Sequence, residues 1–587
     1  MSSFYKRIIA KKIISGLASS QRLADTRQLE KQLRRIIRVP PVRKEPDERN
    51  SQLVIEISAL NEYLNGRSFN INQLLFQDDT KVQVHQDAIH IKTDPKRFFK
   101  KVLDEIWSEK SSYGHLEPDD VKKHVCVEYS SPNIAKPFHV GHMRSTIIGN
   151  IISNMYEAAG HDVKRINFIG DWGTQFGLLS LGLVKYSDVE QLKLDPLHEF
   201  FRVYVKINQD VKSECGQEPE TTSQTYQEGL ALFTKLEQGD ESMLQMWKMV
   251  RDLSAVQLDK MYERLGVHFT HVMPESDYKD KTQDVLERLS NANILQYNSD
   301  GVGYVPLDFP DMGQASVVKS DGSSLYLTRD IASALDRQER FAFDQVHYVV
   351  EQGQRSHFVK LVAILDRLGV PWASRPIDDI HVRFGRVRGM STRQGNAVFL
   401  SDLLDEAKSR VIKSIKCRST SRVPEESLDE VADILGVTAI ILQDVRANRI
   451  SDYTFSWEQM LNFKSDSGVF VQYCHARLCS MLSGCGVEMT SDIDASCVVH
   501  DDALYRVVLH LARYPDVFQE ALSTLEPHII VQYLFRLCHL INVAYAFCPV
   551  KGQPTDIAEA RLMVFMCARQ VLANCLRVLG QTPVERM

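Results

Sequence analysis

The chain has 587 residues, of which 44% are hydrophobic and 25% are charged, and its formal net charge is -6. This length exceeds a single domain, and the composition excludes a disordered chain because it supplies an ample core. The charge excludes a nucleic-acid coat along the whole chain but allows local basic patches that bind RNA.

The first 24 residues are basic and contain no acidic residue before Asp25. Their basic residues are Lys6, Arg7, Lys11, Lys12 and Arg22, and their apolar residues (Ile8, Ile9, Ile13, Ile14 and Leu17) can lie along one helical face. Such a segment is typical of a mitochondrial transit peptide, which we predict for residues 1–24. The alternative is a basic first helix of the mature protein that contacts RNA.

Residues 25–120 mix helical and strand patterns around a linker rich in proline and charge. QLEKQLRRIIR and PKRFFKKVLDEIW have helical spacing, whereas KVQVHQDAIHIKT alternates as strands do. We predict a small α/β domain here. Its basic residues form a solvated face or, alternatively, contact RNA.

A strand, a turn and a helix are predicted across residues 124–160. HVCVEYS alternates as a strand, SSPNIAKPF breaks it, and apolar residues at helical spacing follow until Gly160. His139 and His142 lie where the helix begins, and a helix N-terminus is a natural site for phosphate. Taken alone, this H-x-G-H pattern is weak, because two histidines three residues apart are more often ordinary surface or core residues.

The segment DVKRINFIG predicts a second strand, and the glycine-rich GDWGTQFG follows it. This order predicts a βαβ unit whose ligands lie at the carboxyl ends of the strands. Gly170, Gly173 and Gly177 permit close backbone approach, but no Walker motif is present. Residues 181–281 are polar and helical, which predicts an insertion on the sheet.

Three further segments carry polar residues to the same predicted sheet edge. SLYLTRD puts Tyr326 at a predicted strand end and Asp330 near a helix start, and VHYVVEQGQ puts Gln354 in a turn. IHVRFGRVRGMSTRQGN predicts a strand followed by a basic loop. In isolation, Asp330 would be a helix cap and Tyr326 a core aromatic residue.

After Leu400 the apolar residues recur at three- and four-residue spacing, which predicts an all-α bundle. The simplest interpretation of this bundle is a domain that serves packing or dimerisation. Cys474, His475, Cys479 and Cys485 lack zinc-ligand spacing, and we interpret them as buried helix positions. No run is apolar for the length of a membrane span, because Gln532, Arg536 and His539 interrupt the most apolar stretch.

The blocks EYSSPNIAKPFHVGHMRSTIIGN, GDWGTQFG, YLTRD and GMSTRQGN resemble the signatures of class I aminoacyl-tRNA synthetases. More narrowly they resemble arginyl-tRNA synthetases, and with the basic leader the likeness is to the animal mitochondrial form. The resemblance implies a Rossmann-like parallel-sheet catalytic domain (121–400, helical insertion about 181–281), a small α/β N-terminal tRNA-contacting domain (25–120) and an all-α anticodon-binding domain (401–587). QYCHAR and the terminal VERM match the last of these.

The implied reaction joins arginine to the α-phosphate of ATP and then transfers it to the terminal ribose of tRNA(Arg). Such chemistry requires positioning and charge stabilisation, with Mg²⁺ accompanying ATP. The resemblance implies ATP-binding roles for His139, Gly141, His142, Met390 and Ser391.

By the same resemblance, Asp330 and Tyr326 bind the guanidinium of arginine with help from Glu128. The remaining implied arginine-binding residues are Ser131, Pro132, Asn133, His142 and Gln354. Carboxylates suit a planar cation with five donors, and a buried one should reject neutral analogues strongly.

One motif departs from the class I pattern. The usual Lys-Met-Ser-Lys-Ser loop is replaced by Gly389-Met390-Ser391-Thr392-Arg393, so both lysines are absent. In family members of this kind Lys136 is thought to supply the missing charge, and Arg393 could contribute. We therefore expect catalytic roles for Lys136 and Arg393 beside the two histidines.

The expected partners are L-arginine, ATP and tRNA(Arg), for a monomer in the mitochondrial matrix with no membrane and no zinc or other protein-bound metal. Two alternatives stay open. A small-molecule adenylyltransferase would leave residues 401–587 unexplained, and a non-catalytic RNA-binding relative should have lost the pocket residues that are present here.

Overall fold

The computed structural model describes residues 6, 8–14, 26–40, 53–64, 81–85, 87–115, 122–134, 138, 140–307, 313–320, 325–389, 399–417, 423–463, 465–487, 493–494 and 496–587. They divide into two compact units. One comprises residues 118–407 and 447–456, and the other comprises 1–117, 408–446 and 457–587.

The strands, in chain order, are β1 (Ile37–Arg38), β2 (Leu53–Glu56), β3 (Lys81–His85), β4 (Ala88–Lys92), β5 (His124–Glu128), β6 (Asp162–Ile169), β7 (His271–Pro274), β8 (Gln296–Tyr297), β9 (Gly303–Pro306), β10 (Gln314–Val318), β11 (Gln345–Glu351), β12 (His381–Phe384), β13 (Val387–Arg388) and β14 (Tyr453–Thr454).

The first helices are α1 (Thr26–Ile36), α2 (Ile57–Leu64), α3 (Pro95–Glu109), α4 (Val140–Ala158), α5 (Thr174–Tyr186), α6 (Val189–Leu194), α7 (Pro196–Cys215), α8 (Gln224–Glu237), α9 (Glu241–Leu265), α10 (Thr282–Asn291) and α11 (Tyr326–Phe341). The others are α12 (Arg355–Arg367), α13 (Ile377–Ile380), α14 (Leu400–Lys416), α15 (Leu428–Asp444), α16 (Trp457–Met460), α17 (Gly468–Gly484), α18 (Ser496–His500), α19 (Asp502–Ala512), α20 (Tyr514–Thr524), α21 (His528–Phe547) and α22 (Thr555–Val578).

A five-stranded parallel sheet in the order β12-β11-β5-β6-β7 forms the centre of the first unit. The predicted α/β class and the strands at 124–130 and 162–170 are confirmed. β5 is central because its apolar and β-branched residues are buried on both faces. Polar residues that follow β5, β6, β11 and β12 therefore lie at one edge.

The helices after β6 pack around a core of aromatic and aliphatic side chains that also includes residues preceding the predicted insertion. Trp172, Phe176, Phe200, Phe233 and Val250 pack together there. β7, however, lies within the stretch 181–281 that was predicted as helical, and it pairs with β6 in the sheet. Its four residues are too few to give a strand pattern inside a polar region.

The prediction that Tyr326 lies at a strand end is wrong, because α11 begins at Tyr326. Leu327, Ile331 and Ala334 are buried at helical spacing. Because periodicity alone does not distinguish a strand from a helix in a short apolar run, the burial of this face makes the run a helix. Asp330 lies in the second turn of α11 and thus near a helix start, as predicted.

The second unit combines a small antiparallel sheet, in the order β1-β2-β4-β3, with the predicted helical bundle. α3 packs on the bundle, where the Phe99 ring lies 4.8 Å from that of Tyr505. The Tyr113 hydroxyl donates to the Leu511 carbonyl at 3.1 Å. The segments predicted as N- and C-terminal domains thus lie in one compact unit.

The end of the chain is hydrogen-bonded to α17 through the QYCHAR segment. The Gln472 side chain donates to the Thr582 carbonyl at 2.8 Å and accepts from the Val584 amide at 2.9 Å. His475 Nδ1 lies 2.8 Å from the Val584 carbonyl. Cys474 and His475 are buried as predicted, whereas Cys479 and Cys485 are only partly buried.

Part of the basic N-terminal segment is described in the second unit. Ile9, Ala10 and Ile13 are inaccessible to solvent, and Lys6 forms an ion pair with Asp516. Removal of residues 1–24 would abolish these contacts. The transit peptide stays a prediction, and its test is the N-terminus of the mature protein.

In the described part of the chain, α21 is long and apolar enough by composition to cross a membrane, which the sequence analysis did not expect. About half of the helix is buried against its neighbours. A single helix of this kind is weak evidence, because core helices meet the same criterion.

The start of α17 provides a test of close packing in the bundle. A Cβ on Gly468 would lie 2.4 Å from the Thr438 carbonyl oxygen of α15, so we expect Gly468→Ala to lower the free energy of unfolding by about 1–3 kcal/mol. Gly484, at the other end of α17, has nothing within 4 Å of such a Cβ, so Gly484→Ala should change stability by less than about 1 kcal/mol. Equal thermal midpoints for the two variants would contradict this packing.

Candidate active site

A cavity of about 370 Å³ opens at the carboxyl edge of the parallel sheet. Such a volume is within the range of small-molecule sites, and this edge is where ligands bind in α/β folds. The cavity is lined by Glu128, Ser130, Ser131, Gly141, His142, Ser145, Phe168, Asp330, Ser333, Tyr348, Val349, Val350, Glu351, Gln354, His357, Phe358, Leu361 and Phe384.

The turn after β5 brings two serines to the cavity in a strained backbone conformation. Ser130 and Ser131 have φ values of 70° and 45°, a region that costs a residue other than glycine about 1–3 kcal/mol. The Ser130 amide donates to Ser145 Oγ at 2.9 Å, and the Ser131 amide donates to Asn167 Oδ1 at 3.1 Å. Hydrogen bonds from α4 and β6 therefore hold the turn in place.

Helix α4 begins beside the cavity, as predicted, and its first turn contains Gly141 and His142. The free amides and positive dipole end of such a turn favour a phosphate group. The Thr146 hydroxyl donates to the His142 carbonyl at 2.7 Å and lies 2.8 Å from Ser130 Oγ, a contact that ties the helix to the strained turn.

Asp330 faces the cavity from α11. Its Oδ2 lies 2.7 Å from His357 Nε2 on α12, and both side chains are about 30% exposed. The sequence analysis did not identify His357. Its position three residues after Gln354 was the available signal, because one further helical turn keeps a side chain near the same edge.

Glu128, at the end of β5, is buried and forms an ion pair with Arg337 of α11. Burial raises the pKa of the Glu128 carboxyl, Arg337 opposes that rise, and Asp330 adds to it. Glu128 also accepts a hydrogen bond from Ser131 Oγ at 3.4 Å. Arg337 is therefore the group that most favours the ionised form of Glu128.

A second buried pair joins Arg329 of α11 to Glu275, with Nε 2.7 Å from Oε1. Burial raises the pKa of Glu275 to about 7, against the opposing effect of Arg329. The Arg329 guanidinium also lies 4.8 Å from the ring centroid of Tyr326, which is 55% exposed. Gly173 allows the approach of Tyr326, since a Cβ there would lie 3.0 Å from its hydroxyl and φ is 152°.

Six of the predicted site residues line the cavity together: Glu128, Ser131, Gly141, His142, Asp330 and Gln354. Pro132, Asn133 and Tyr326 are not among the lining residues. The Pro132 carbonyl accepts from the Gly170 amide, and Asn133 pairs with Gly170 as a parallel bridge. Lys136, His139, Met390, Ser391 and Arg393 lie outside the described residues.

Within the described ranges, no group of three or more His, Cys, Asp or Glu side chains could hold a metal ion. The lining carboxylates Glu128, Asp330 and Glu351 are instead engaged by Arg337, His357 and Arg386, respectively. A Mg²⁺ ion would therefore depend on ligands that a phosphate substrate supplies.

The geometry combines a phosphate-favouring helix start with a carboxylate on the opposite wall of a small cavity. Such a site can hold a cationic molecule at one end and a nucleotide phosphate at the other. A serine hydrolase needs a serine hydroxyl beside a histidine that a carboxylate orients. No lining serine that the structure describes has this arrangement, since Ser130 and Ser145 hold the turn in place.

Two family models match this chain. The model described as tRNA synthetases class I (R), catalytic domain, matches residues 103–457. The model described as DALR anticodon binding domain matches residues 471–587.

Similar proteins cover most of the chain. A protein of Mus musculus named probable arginine–tRNA ligase, mitochondrial, is 40% identical over 86% of each chain. The cytoplasmic arginine–tRNA ligase of Saccharomyces cerevisiae is 40% identical over 86% of this chain and 83% of its own. The solved Thermus thermophilus arginyl-tRNA synthetase shares the fold, with a TM-score of 0.79 at 19% identity over 99% of this chain and 100% of its own.

Proposed function

The chain belongs to the arginyl-tRNA synthetases, and we propose that the cavity beside α4 is where this enzyme activates arginine. Enzymes of this family are arginine–tRNA ligases of class I. Arginine and ATP give arginyl-adenylate and pyrophosphate, and the arginyl group then passes to the terminal ribose of tRNA(Arg). Neither step requires a protein nucleophile.

Asp330 is the residue on which the assignment chiefly depends. Its carboxylate faces the cavity from α11 and is paired with a histidine rather than with an arginine. A guanidinium matches a carboxylate in bidentate geometry. Tyr326, beside it on α11, would cover the guanidinium, and Glu128 would assist through its charge.

The other end of the amino acid requires groups that recognise an ammonium and a carboxylate. Ser131 follows β5, and Gln354 follows the neighbouring strand β11. Both residues line the cavity and suit that role. Pro132 and Asn133 would shape the turn that carries Ser131, since both contact Gly170. His142 would lie between the amino acid and the α-phosphate.

ATP would lie along the start of α4, with Gly141 allowing close approach and His139 and His142 donating to the phosphates. Met390 and Ser391 would contact ATP from the loop after β13, and Lys136 and Arg393 would supply cationic charge there. Mg²⁺ would be held mainly by ATP phosphate oxygens and would neutralise part of their charge. Zinc has no part in this proposal.

The helical unit would bind the tRNA. Residues 471–587 match an anticodon-binding domain, and residues 25–120, which share that compact unit, would extend the RNA-contacting surface. We propose that the enzyme acts as a monomer.

We also propose that the enzyme acts in mitochondrial translation, in the matrix and free of the membrane. Support comes from the basic start of the chain and from mitochondrial relatives such as the mouse and Bos taurus ligases.

The first prediction concerns the reaction itself. We expect ATP–pyrophosphate exchange that depends on arginine and, by family resemblance, on added tRNA. Absence of arginine-dependent exchange both with and without tRNA would contradict the proposed function. Exchange supported by another small-molecule acceptor of the adenylyl group and not by arginine would favour a small-molecule adenylyltransferase. No exchange combined with tRNA binding would favour a non-catalytic relative.

The second prediction concerns the guanidinium site. Asp330→Asn should raise the KM for arginine about 30-fold or more, because loss of a charge pair costs about 2–5 kcal/mol. The KM for ATP should change by less than about threefold, since the lost interaction is confined to the amino acid. Steady-state exchange kinetics measure both constants.

The matched control is Asp366→Asn, which changes an exposed aspartate at the far end of α12. It should leave both constants unchanged. Equal damage to the two constants in Asp330→Asn would mean that Asp330 supports the fold rather than the substrate.

The third prediction concerns location. In cells, the protein should be protected from added protease inside intact mitochondria, and the mature N-terminus should lie near residue 25. A protein found outside mitochondria would contradict the location. A mature protein that keeps Lys6 would preserve its contact with Asp516 and would contradict only the cleavage.

A further inference from the structure

Arg337 is a buried cation that pairs with the cavity-lining Glu128 and lies seven residues after Asp330 on α11. Its side chain is 1% exposed, and Nη1 donates to Glu128 Oε2. Seven residues are close to two helical turns, so Asp330 and Arg337 share one face of α11. Glu128 links that face to the end of β5.

The surroundings of Arg337 offer little other compensation for its charge. The guanidinium lies 4.8 Å from the Phe168 ring centroid, and Tyr278, Tyr348 and Cys126 are close enough to affect its pKa. In the part of the chain that the structure describes, its Nε and Nη2 are buried without a hydrogen-bond partner. A buried cation with one ion pair is costly, and hydrophobic replacements of such pairs are often equally stable.

The charges around α11 suggest what this costly pair does. Asp330 lies near two other carboxylates, because it raises the pKa of both Glu128 and Glu275. Arg337 compensates Glu128, and Arg329 compensates Glu275. Asp330, which contacts His357, is the one of the three without an arginine partner.

We propose that Arg337 is a positioning residue that keeps Glu128 ionised at the cavity, so that this lining carboxylate adds to the attraction of Asp330 for one guanidinium. This inference rests on the proposed function, because it assigns the cavity to arginine. Without Arg337, Glu128 would take up a proton and the pocket would lose part of its attraction for a cation.

The pH dependence of arginine binding distinguishes this role from simple packing. The titratable and charged groups beside Glu128 are Arg337 and Asp330 on α11, Cys126 on β5 and Tyr348 on β11. His142 and His357 line the same cavity. Burial raises the pKa of Cys126 to about 12 and raises that of Tyr348 as well, so neither titrates near neutrality. Histidine protonation is followed separately by repeating the measurements in a His357→Gln background.

The experiment measures the KM for arginine and for ATP between about pH 6 and pH 9 in the exchange reaction with tRNA. In Arg337→Met, the KM for arginine should rise about tenfold or more near pH 6.5, and the increase should shrink as the pH rises and Glu128 ionises. The KM for ATP should stay within about threefold of the wild-type value.

Three further variants complete the comparison. Arg337→Lys keeps the charge and should restore most of the arginine affinity. The double variant Glu128→Gln/Arg337→Met removes both charges, so its KM for arginine should be raised without the added pH dependence. Arg340→Met, an exposed arginine on the same helix, should behave as wild type.

A second readout does not require activity. An acid whose pKa is raised by folding destabilises the folded state as pH rises above its unfolded value. The thermal midpoint of Arg337→Met should therefore fall relative to wild type between about pH 5 and pH 8, and the double variant should lose this trend. If Arg337→Met fails to fold and Glu128→Gln/Arg337→Met folds, that result also supports the proposal.

The proposal is overturned if Arg337→Met folds and shows the wild-type pH profile for arginine, or if the double variant also fails to fold. Wild-type protein without arginine-dependent exchange would refute the proposed function instead. The midpoint measurements would then still decide whether Arg337 keeps Glu128 ionised.

Discussion

Compensation of buried charge is the constraint on which this site depends. A carboxylate out of water needs a partner, and α11 supplies guanidinium groups to two of the three carboxylates Glu128, Glu275 and Asp330. The third, Asp330, has a histidine within hydrogen-bonding distance and is accessible from the cavity. A cationic substrate would complete this balance, and a neutral analogue would leave the carboxylate without an equivalent counterion. Selectivity would thus follow from charge and geometry without an editing site.

The parallel sheet brings this chemistry together from distant parts of the chain. β5 ends in the strained serines, β11 ends just before Gln354, and α4 and α11 approach the same edge. Strain at Ser130 and Ser131 is tolerated because the turn is held by hydrogen bonds from α4 and β6. Ser145 extends that link, donating to the Val349 carbonyl of β11 at 2.6 Å. One network of hydrogen bonds therefore connects the start of α4 to β11 and to the turn after β5.

Much of this arrangement could be predicted from the sequence, because its strands alternate strongly and its motifs lie at strand ends. The sheet, the start of α4 and the placement of Asp330 and Gln354 follow from such patterns. β7 and the start of α11 could not be predicted, since tertiary packing decides the structure of short apolar runs. The ion pair between Glu128 and Arg337 joins residues 209 positions apart, and only the fold shows that one compensates the other. His357 also could not be predicted, because it belongs to no motif and only the fold shows its contact with Asp330.

The central claim is that the cavity recognises a positive guanidinium through an uncompensated carboxylate charge. Calorimetric titration of the enzyme with L-arginine and with L-citrulline, its neutral near-isostere, tests this directly. The account predicts that arginine binds about 100-fold more tightly or better, since an unmatched buried carboxylate costs several kcal/mol. Equal affinities for the two amino acids would contradict it.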